Sequence, residues 1–139
     1  MLKFIPIRAS AGLGGFESPA AEYTELGLSL DELLIEHASA TYLGFVEGES
    51  MTGVGIFPGD LLVVDRSLTA KTGDIVVATW NGQFVCKVAD PQHRALRSAR
   101  KGFRDIYIGE HDDFRIEGVV ARSIRLHRPL SQLPVAAES

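Results

Sequence analysis

From about residue 40 onward, apolar positions recur in short alternating runs broken by Gly, Pro, Asn and Asp, a pattern of strands joined by turns rather than of helices. Strands are expected over residues 40–46, 61–64, 75–80, 83–89, 94–99, 105–108 and 116–126, with Gly118 as a bulge in the last. Asn81-Gly82 separates two of them; a type I′ turn needs positive φ at both central residues, so this pair predicts a tight hairpin. Pro58-Gly59-Asp60 and Gly73-Asp74 are turn chemistry that opens two strands. Only one stretch has helical spacing. Ser29 followed by Glu32 forms a capping box, and Leu30, Leu33, Leu34 and His37 then recur on one face. His37 is expected near the C-terminal end of that helix, as a favourable partner for its last carbonyls.

Residues 9–20 are rich in small residues and glycine without either period, and read as an extended, exposed arm open to a protease. The expected organisation is therefore a flexible N-terminal arm over residues 1–28 and a single mostly antiparallel β-domain over 29–139, loose from about Pro129. No strand–helix alternation is present, and Gly12-Leu13-Gly14-Gly15 precedes no Lys-Ser or Lys-Thr pair. A Rossmann or P-loop phosphate site is therefore not expected.

Composition narrows this picture. The chain has 139 residues, 45% of them hydrophobic and 23% charged, enough for one folded domain and too few for two ordinary ones. No apolar run reaches the ~20 residues of a membrane span, and no signal-peptide stretch opens the sequence. A cytoplasmic protein with no membrane partner is expected. Cys86 is the single cysteine, which excludes an internal disulfide and a cysteine-rich zinc site; neither metal nor cofactor is expected. The net charge is −4, divided as −6 over residues 1–50 and +2 over the remainder. Arg94, Arg97, Arg100, Lys101 and Arg104 form a basic cluster without interleaved acids. It lacks the aromatic spacing of a nucleic-acid surface and reads as a solvated face, so direct sequence-specific DNA binding is not expected.

Candidate chemistry centres on one serine and one lysine. The four histidines, His37, His93, His111 and His127, stand in polar or terminal contexts, and no serine–histidine triad is legible. A lysine can replace histidine as base only when desolvated, because at its free pKa of ~10.4 about one in a thousand is neutral at pH 7. Lys87 alone of Lys3, Lys71, Lys87 and Lys101 sits within an apolar strand, sharing a face with Val85 and Ala89, while Cys86 and Val88 point the other way. Snorkelling from an edge strand would account for such a lysine by itself. Ser50 alters that balance: Gly48 and Gly53 flank it, permitting close backbone approach and presenting local N–H groups as an oxyanion hole. Cys86, on the opposite face, is expected to be a buried structural residue.

Gly14-Gly15-Phe16-Glu17-Ser18-Pro19-Ala20-Ala21-Glu22-Tyr23, the run from Leu33 to Tyr42, Gly48-Glu49-Ser50-Met51, Gly59-Asp60-Leu61-Leu62-Val63-Val64-Asp65 and Gly73-Asp74-Ile75-Val76 resemble the UmuD family. These are accessory subunits of the error-prone SOS DNA polymerase, related to the self-cleaving C-terminal domain of LexA-type repressors. The resemblance extends from about Gly14 to Arg125, and Lys87 follows Ser50 at the family's spacing of 37 residues. It implies Ser50 as nucleophile, Lys87 as general base, and the backbone N–H groups of Glu49 and Ser50 as the oxyanion hole. It implies a homodimer that, when bound by a RecA filament on single-stranded DNA, cuts its own arm between Gly14 and Gly15. The shortened dimer would then join a Y-family polymerase catalytic subunit in translesion synthesis. Two departures stand out. Gly14 occupies a position where Cys or Ala is usual, so slower or less exact cutting is expected, with Ala11–Gly12 as a second candidate bond. Glu49 replaces an Asp, which matters little if only its N–H is used.

Signal peptidases share a Ser-Met and lysine arrangement but work at a membrane, for which this sequence has no anchor. A LexA-type repressor would need a helix-turn-helix before Gly15, and those residues cannot form one. The remaining alternative is a dimeric interaction module that binds polymerase and RecA without cleaving itself.

Overall fold

A computed structural model describes residues 3–4, 24–25 and 27–132 of the chain. The chain divides into two compact units, Met1–Glu36 and His37–Ser139. Residues 5–23, among them the expected arm at 9–20 and the bond Gly14–Gly15, and residues 133–139 of the expected loose tail, lie outside the described residues.

In the first unit, strand β1 (Lys3–Phe4) pairs antiparallel with β2 (Thr24–Glu25), setting Lys3 opposite Glu25 and Phe4 opposite Thr24. Helix α1 (Leu30–Leu34) starts with the expected capping box. The Glu32 N–H donates to Ser29 Oγ and the Ser29 N–H to Glu32 Oε1, each at 3.2 Å. The helix is shorter than its apolar spacing implies, because Ile35 turns extended at φ −120° and ends it.

His37 consequently lies beyond the helix, three residues past its last residue Leu34, and not in its final turn. It opens a 3-10 turn (Ala38–Ala40) in the second unit, and its Nδ1 meets Asp65 Oδ2 at 2.6 Å. Ser67 donates to the other carboxylate oxygen from both Oγ (2.6 Å) and N–H (2.9 Å). The Ser67 and His37 hydrogen bonds hold the Asp65 pKa down to about 2, against the push of burial. A carboxyl whose folded pKa is depressed contributes stability above its unfolded pKa of ~3.9, and that contribution is lost as pH falls through the folded value. The urea unfolding midpoint should therefore fall between about pH 4 and pH 2, and Asp65→Asn should flatten that fall.

Seven strands build the second unit: β3 (Thr41–Phe45), β4 (Leu61–Asp65), β5 (Ile75–Trp80), β6 (Gln83–Asp90), β7 (Ala95–Arg97), β8 (Ile106–Tyr107) and β9 (Phe114–Ile124). They form one antiparallel sheet in the order β3-β4-β9-β5-β6-β7-β8. Asn81 (φ 49°) and Gly82 (φ 83°) make the β5–β6 turn, both in the left-handed region as the hairpin requires. The strict alternation of β5 and β6 sorts side chains onto two apolar clusters. Ile75, Val77, Cys86 and Val88 join Val46, Met51, Ile56, Leu62 and Val64. Val85 joins Val76, Ala78, Ala89, Leu96 and Val119. Each large side chain buried this way contributes about 1.5–3 kcal/mol relative to exposure.

Strand β9 begins and ends two residues before the span its sequence suggests, and it is bulged twice. Val77 faces Gly118 but Ala78 faces Ile116, leaving Glu117 extra; Val63 faces Arg122 but Val64 faces Val120, leaving Ala121 extra. Gly118 thus borders a bulge, and it is needed for a second reason: a Cβ there would lie 2.6 Å from Val64 Cγ1 and 3.1 Å from the Asp65 carbonyl oxygen.

Candidate active site

Ser50 sits in the segment between β3 and β4, anchored on both sides. Gly48 turns the chain at φ +78°, Ser50-Met51 form a turn, and a 3-10 turn (Thr52–Val54) follows. Met51 (2% exposed) and Ile56 (1% exposed) pin this segment into the first apolar cluster. Its outer side is fastened to the chain just after β7. The Ala99 N–H donates to the Ser50 carbonyl and the Gly53 N–H to the Ala99 carbonyl, both at 2.6 Å. Only glycine permits that approach, since a Cβ on residue 53 would stand 2.0 Å from the Ala99 carbonyl oxygen.

Lys87 comes from the middle of β6, with Val76 of β5 opposite it. Its Nζ lies 2.7 Å from Ser50 Oγ and 3.1 Å from Ser98 Oγ. Ser98 and Ala99 are adjacent, so one short extension of β7 holds both partners: Ser98 touches the lysine and Ala99 staples the serine. Continuing the β6–β7 register beyond Val88 opposite Arg97 by one residue brings Ser98 opposite Lys87.

The electrostatics favour a base. Burial lowers the Lys87 pKa, and the nearby Cys86 and Asp105 oppose this only in part. Asp105 is occupied elsewhere, accepting from the Ser98 N–H at 2.9 Å and from Arg97 at 3.0 Å. Cys86 packs on the first cluster, and burial pushes its thiol up to about 11, so it stays protonated at neutral pH. His37 is committed to Asp65, and His93 to Asp90 at 2.8 Å.

The Glu49 side chain turns to Arg100, 2.8 Å away, leaving its backbone as the part that could act at the serine. Among the described residues, neither the Glu49 nor the Ser50 N–H donates to a backbone carbonyl. A cleft of about 140 Å³ opens over Ser50 and Lys87 between Glu47, Gly48 and Phe84. It shares Val46, Glu47, Phe84, Val85 and Cys86 with a neighbouring apolar trough of about 500 Å³ that is also lined by Leu62, Val64 and Val77. A separate groove, between Leu68, Leu96, Ile108 and Phe114, contains neither Ser50 nor Lys87.

The basic cluster is partly consumed by structure. Arg97 bridges Asp90 (2.7 Å) and Asp105 (3.0 Å), so the acids absent from the local sequence arrive from neighbouring segments. Arg100 pairs with Glu49 and lies over the Phe103 ring. Sequence reasoning missed Ser98, Ala99 and Asp105 as neighbours of the site; only the register of β7 against β6 reveals them. Gly14 and Gly15 lie outside the described residues, so the bond to be cut has no geometry here.

A partly buried lysine thus lies against a serine hydroxyl, and the chain belongs to the peptidase S24-like family, which matches residues 3–121. Within it the chain is a UmuD-family protein, of the class of SOS mutagenesis proteins. It is 41% identical to Protein MucA of Salmonella typhimurium over 125 residues, covering 88% of this chain and 86% of that protein. Protein SamA of Salmonella typhimurium (strain LT2) is 35% identical over 130 residues, covering 88% and 91%. The LexA repressor of Bordetella avium is 34% identical over 110 residues, covering 78% of this chain and 51% of the repressor. No helix among the described residues is long and apolar enough to cross a membrane.

Proposed function

We propose that this protein is a self-cleaving serine peptidase in which Ser50 is the nucleophile and Lys87 the general base, and that it removes its own N-terminal arm by cutting between Gly14 and Gly15. The observation that carries this reading is the 2.7 Å approach of Lys87 Nζ to Ser50 Oγ on a partly buried lysine with a lowered pKa. Neutral Lys87 takes the Ser50 proton as Oγ attacks the Gly14 carbonyl carbon. The negative oxygen is received by the Glu49 and Ser50 N–H groups. The Lys87 ammonium then returns its proton to the Gly15 amine as the C–N bond breaks, and the resulting Ser50 ester is hydrolysed by water with Lys87 again as base. The apolar trough neighbouring the dyad's cleft suits an extended segment of chain, and tethering supplies the high effective concentration that a single turnover needs.

Family membership supports, as part of the same proposal, a finer reading of the biology. A RecA filament on single-stranded DNA stimulates the cut, and the processed homodimer serves as accessory subunit to a Y-family translesion polymerase in the cytoplasm. With glycine before the cut bond, the arm has more backbone freedom to lose on entering the cleft, so cutting is slow and Ala11–Gly12 competes. Incubation with RecA, ATP and single-stranded DNA, followed by intact-mass measurement, is expected to show loss of residues 1–14. An unchanged mass with an active RecA filament would refute the processing step and leave a binding subunit with an idle dyad.

A further inference from the structure

Ser98 is the second hydroxyl within hydrogen-bond distance of Lys87 Nζ, beside Ser50, and its own hydrogen bonds restrict what it can offer. Its Oγ donates to the Arg104 carbonyl at 2.8 Å, and its N–H donates to Asp105 Oδ1 at 2.9 Å. A hydroxyl has one proton and two lone pairs. With that proton spent on Arg104, Ser98 can meet Lys87 only as an acceptor, 3.1 Å from Nζ. A neutral amine has two N–H groups and a single lone pair; it serves as a base only while that lone pair faces the serine proton. We propose that Ser98 is a positioning residue for the peptidase reaction: by accepting one N–H of Lys87, its carbonyl-anchored hydroxyl turns the lysine lone pair onto Ser50. This inference rests on the Ser50–Lys87 reading above and adds a third side chain to it.

Ser98 has the rigidity such a role needs. The two-point clamp onto residues 104 and 105 fixes both its backbone and its rotamer, and Asp105 is itself held by Arg97, which also grips Asp90 at the end of β6. Ser98 therefore moves with the strand that bears Lys87, and Ala99 beside it moves with Ser50. Distance and orientation of the dyad are set by one segment. The charged and titratable groups around the lysine are Cys86 on β6, Asp105 before β8 and Glu47 at the cleft, none of which hydrogen-bonds Nζ among the described residues.

Ser98 also accepts from the ammonium form. A hydrogen bond to the charged state favours it, so removing the acceptor moves the Lys87 titration to lower pH while the base, once neutral, is less well aimed. These opposite effects separate a positioning role from simple loosening of the fold. The test is Ser98→Ala beside Ser98→Thr, which retains the hydroxyl, with two readouts on the full chain: Lys87 titration followed by NMR of its side-chain carbons, and the rate of arm cleavage against pH. Ser98→Ala is expected to titrate Lys87 at lower pH and to reach an alkaline plateau rate about tenfold below wild type, the loss of one such hydrogen bond. Ser98→Thr is expected to restore both. An unmoved Lys87 titration in Ser98→Ala, or a wild-type plateau rate, overturns the proposal. Should the titration move while wild-type protein cuts nothing at any pH, the positioning proposal is overturned together with its parent, yet the Ser98–Lys87 contact stands and the fault lies in the peptidase reading.

Discussion

Ser50→Ala and Lys87→Ala should each reduce arm cleavage to background, a loss of about 10⁴-fold or more, since removing either partner of a nucleophile–base unit costs nearly as much as removing both. Lys87→Arg should be equally inactive, because a guanidinium keeps the charge but cannot shed its proton near neutral pH. That variant separates basicity from charge. All three should fold, since Ser50 and Lys87 meet at the edge of a cleft; truncating Ser50 loses one hydrogen bond and truncating Lys87 two, at about 1 kcal/mol net for each bond. Measurable cutting by purified Lys87→Arg at a rate near wild type would exclude lysine as the base while leaving the serine in question.

Gly53→Ala should be the most damaging single substitution outside the dyad. Its Cβ would stand 2.0 Å from the Ala99 carbonyl oxygen and 2.9 Å from the carbonyl carbon, and both atoms belong to backbone that cannot swing aside. The Gly53–Ala99 hydrogen bond must lengthen or break, and with it the pairing of Ala99 with Ser50. The expected cost is about 1–3 kcal/mol from overpacking and about 1 kcal/mol from the hydrogen bond. Because Ala99 also positions the serine against Lys87, cleavage should fall at least about tenfold, as displacements of an ångström at a reacting pair do. Thermal unfolding and cleavage rate measured together check this; a variant matching wild type in both would show that the staple is not what holds Ser50.

Much of this architecture could be read from local sequence, and the exceptions share a cause. The β5–β6 hairpin was legible because its turn and its alternation are encoded within a few residues: Asn81-Gly82 for the turn, and the exact bounds of β5 for the strand. The capping box at Ser29 and Glu32 is local in the same sense. Strand β9 was displaced because two bulges each insert a residue, and a bulge is set by the partner strand's register rather than by its own sequence. His37 was misplaced because its true partner, Asp65, lies 28 residues away. The β1–β2 pairing is two residues long, too short to leave any period.

The candidate site divides along the same line. Ser50 and Lys87 were singled out by residue type and by a lysine in an apolar strand, and the structure brings them to 2.7 Å. The flanking glycines were recognised, but what Gly53 approaches was not, because Ala99 is remote in sequence. Ser98 left no signal at all. A serine after a three-residue strand is unremarkable until the β6–β7 register sets it across from the lysine. The basic cluster misled in a milder way: the local sequence lacks acids, yet Asp90, Asp105 and Glu49 reach Arg97 and Arg100 from adjoining segments.

The most direct test of the lysine-base account is the rate of arm cleavage by the purified protein, without RecA, from about pH 6 to about pH 10. Burial lowers the Lys87 pKa, so the neutral fraction, and with it the rate, should climb about tenfold per pH unit and level off below the ordinary lysine value of 10.5. A rate that stays flat across that range would contradict a lysine base.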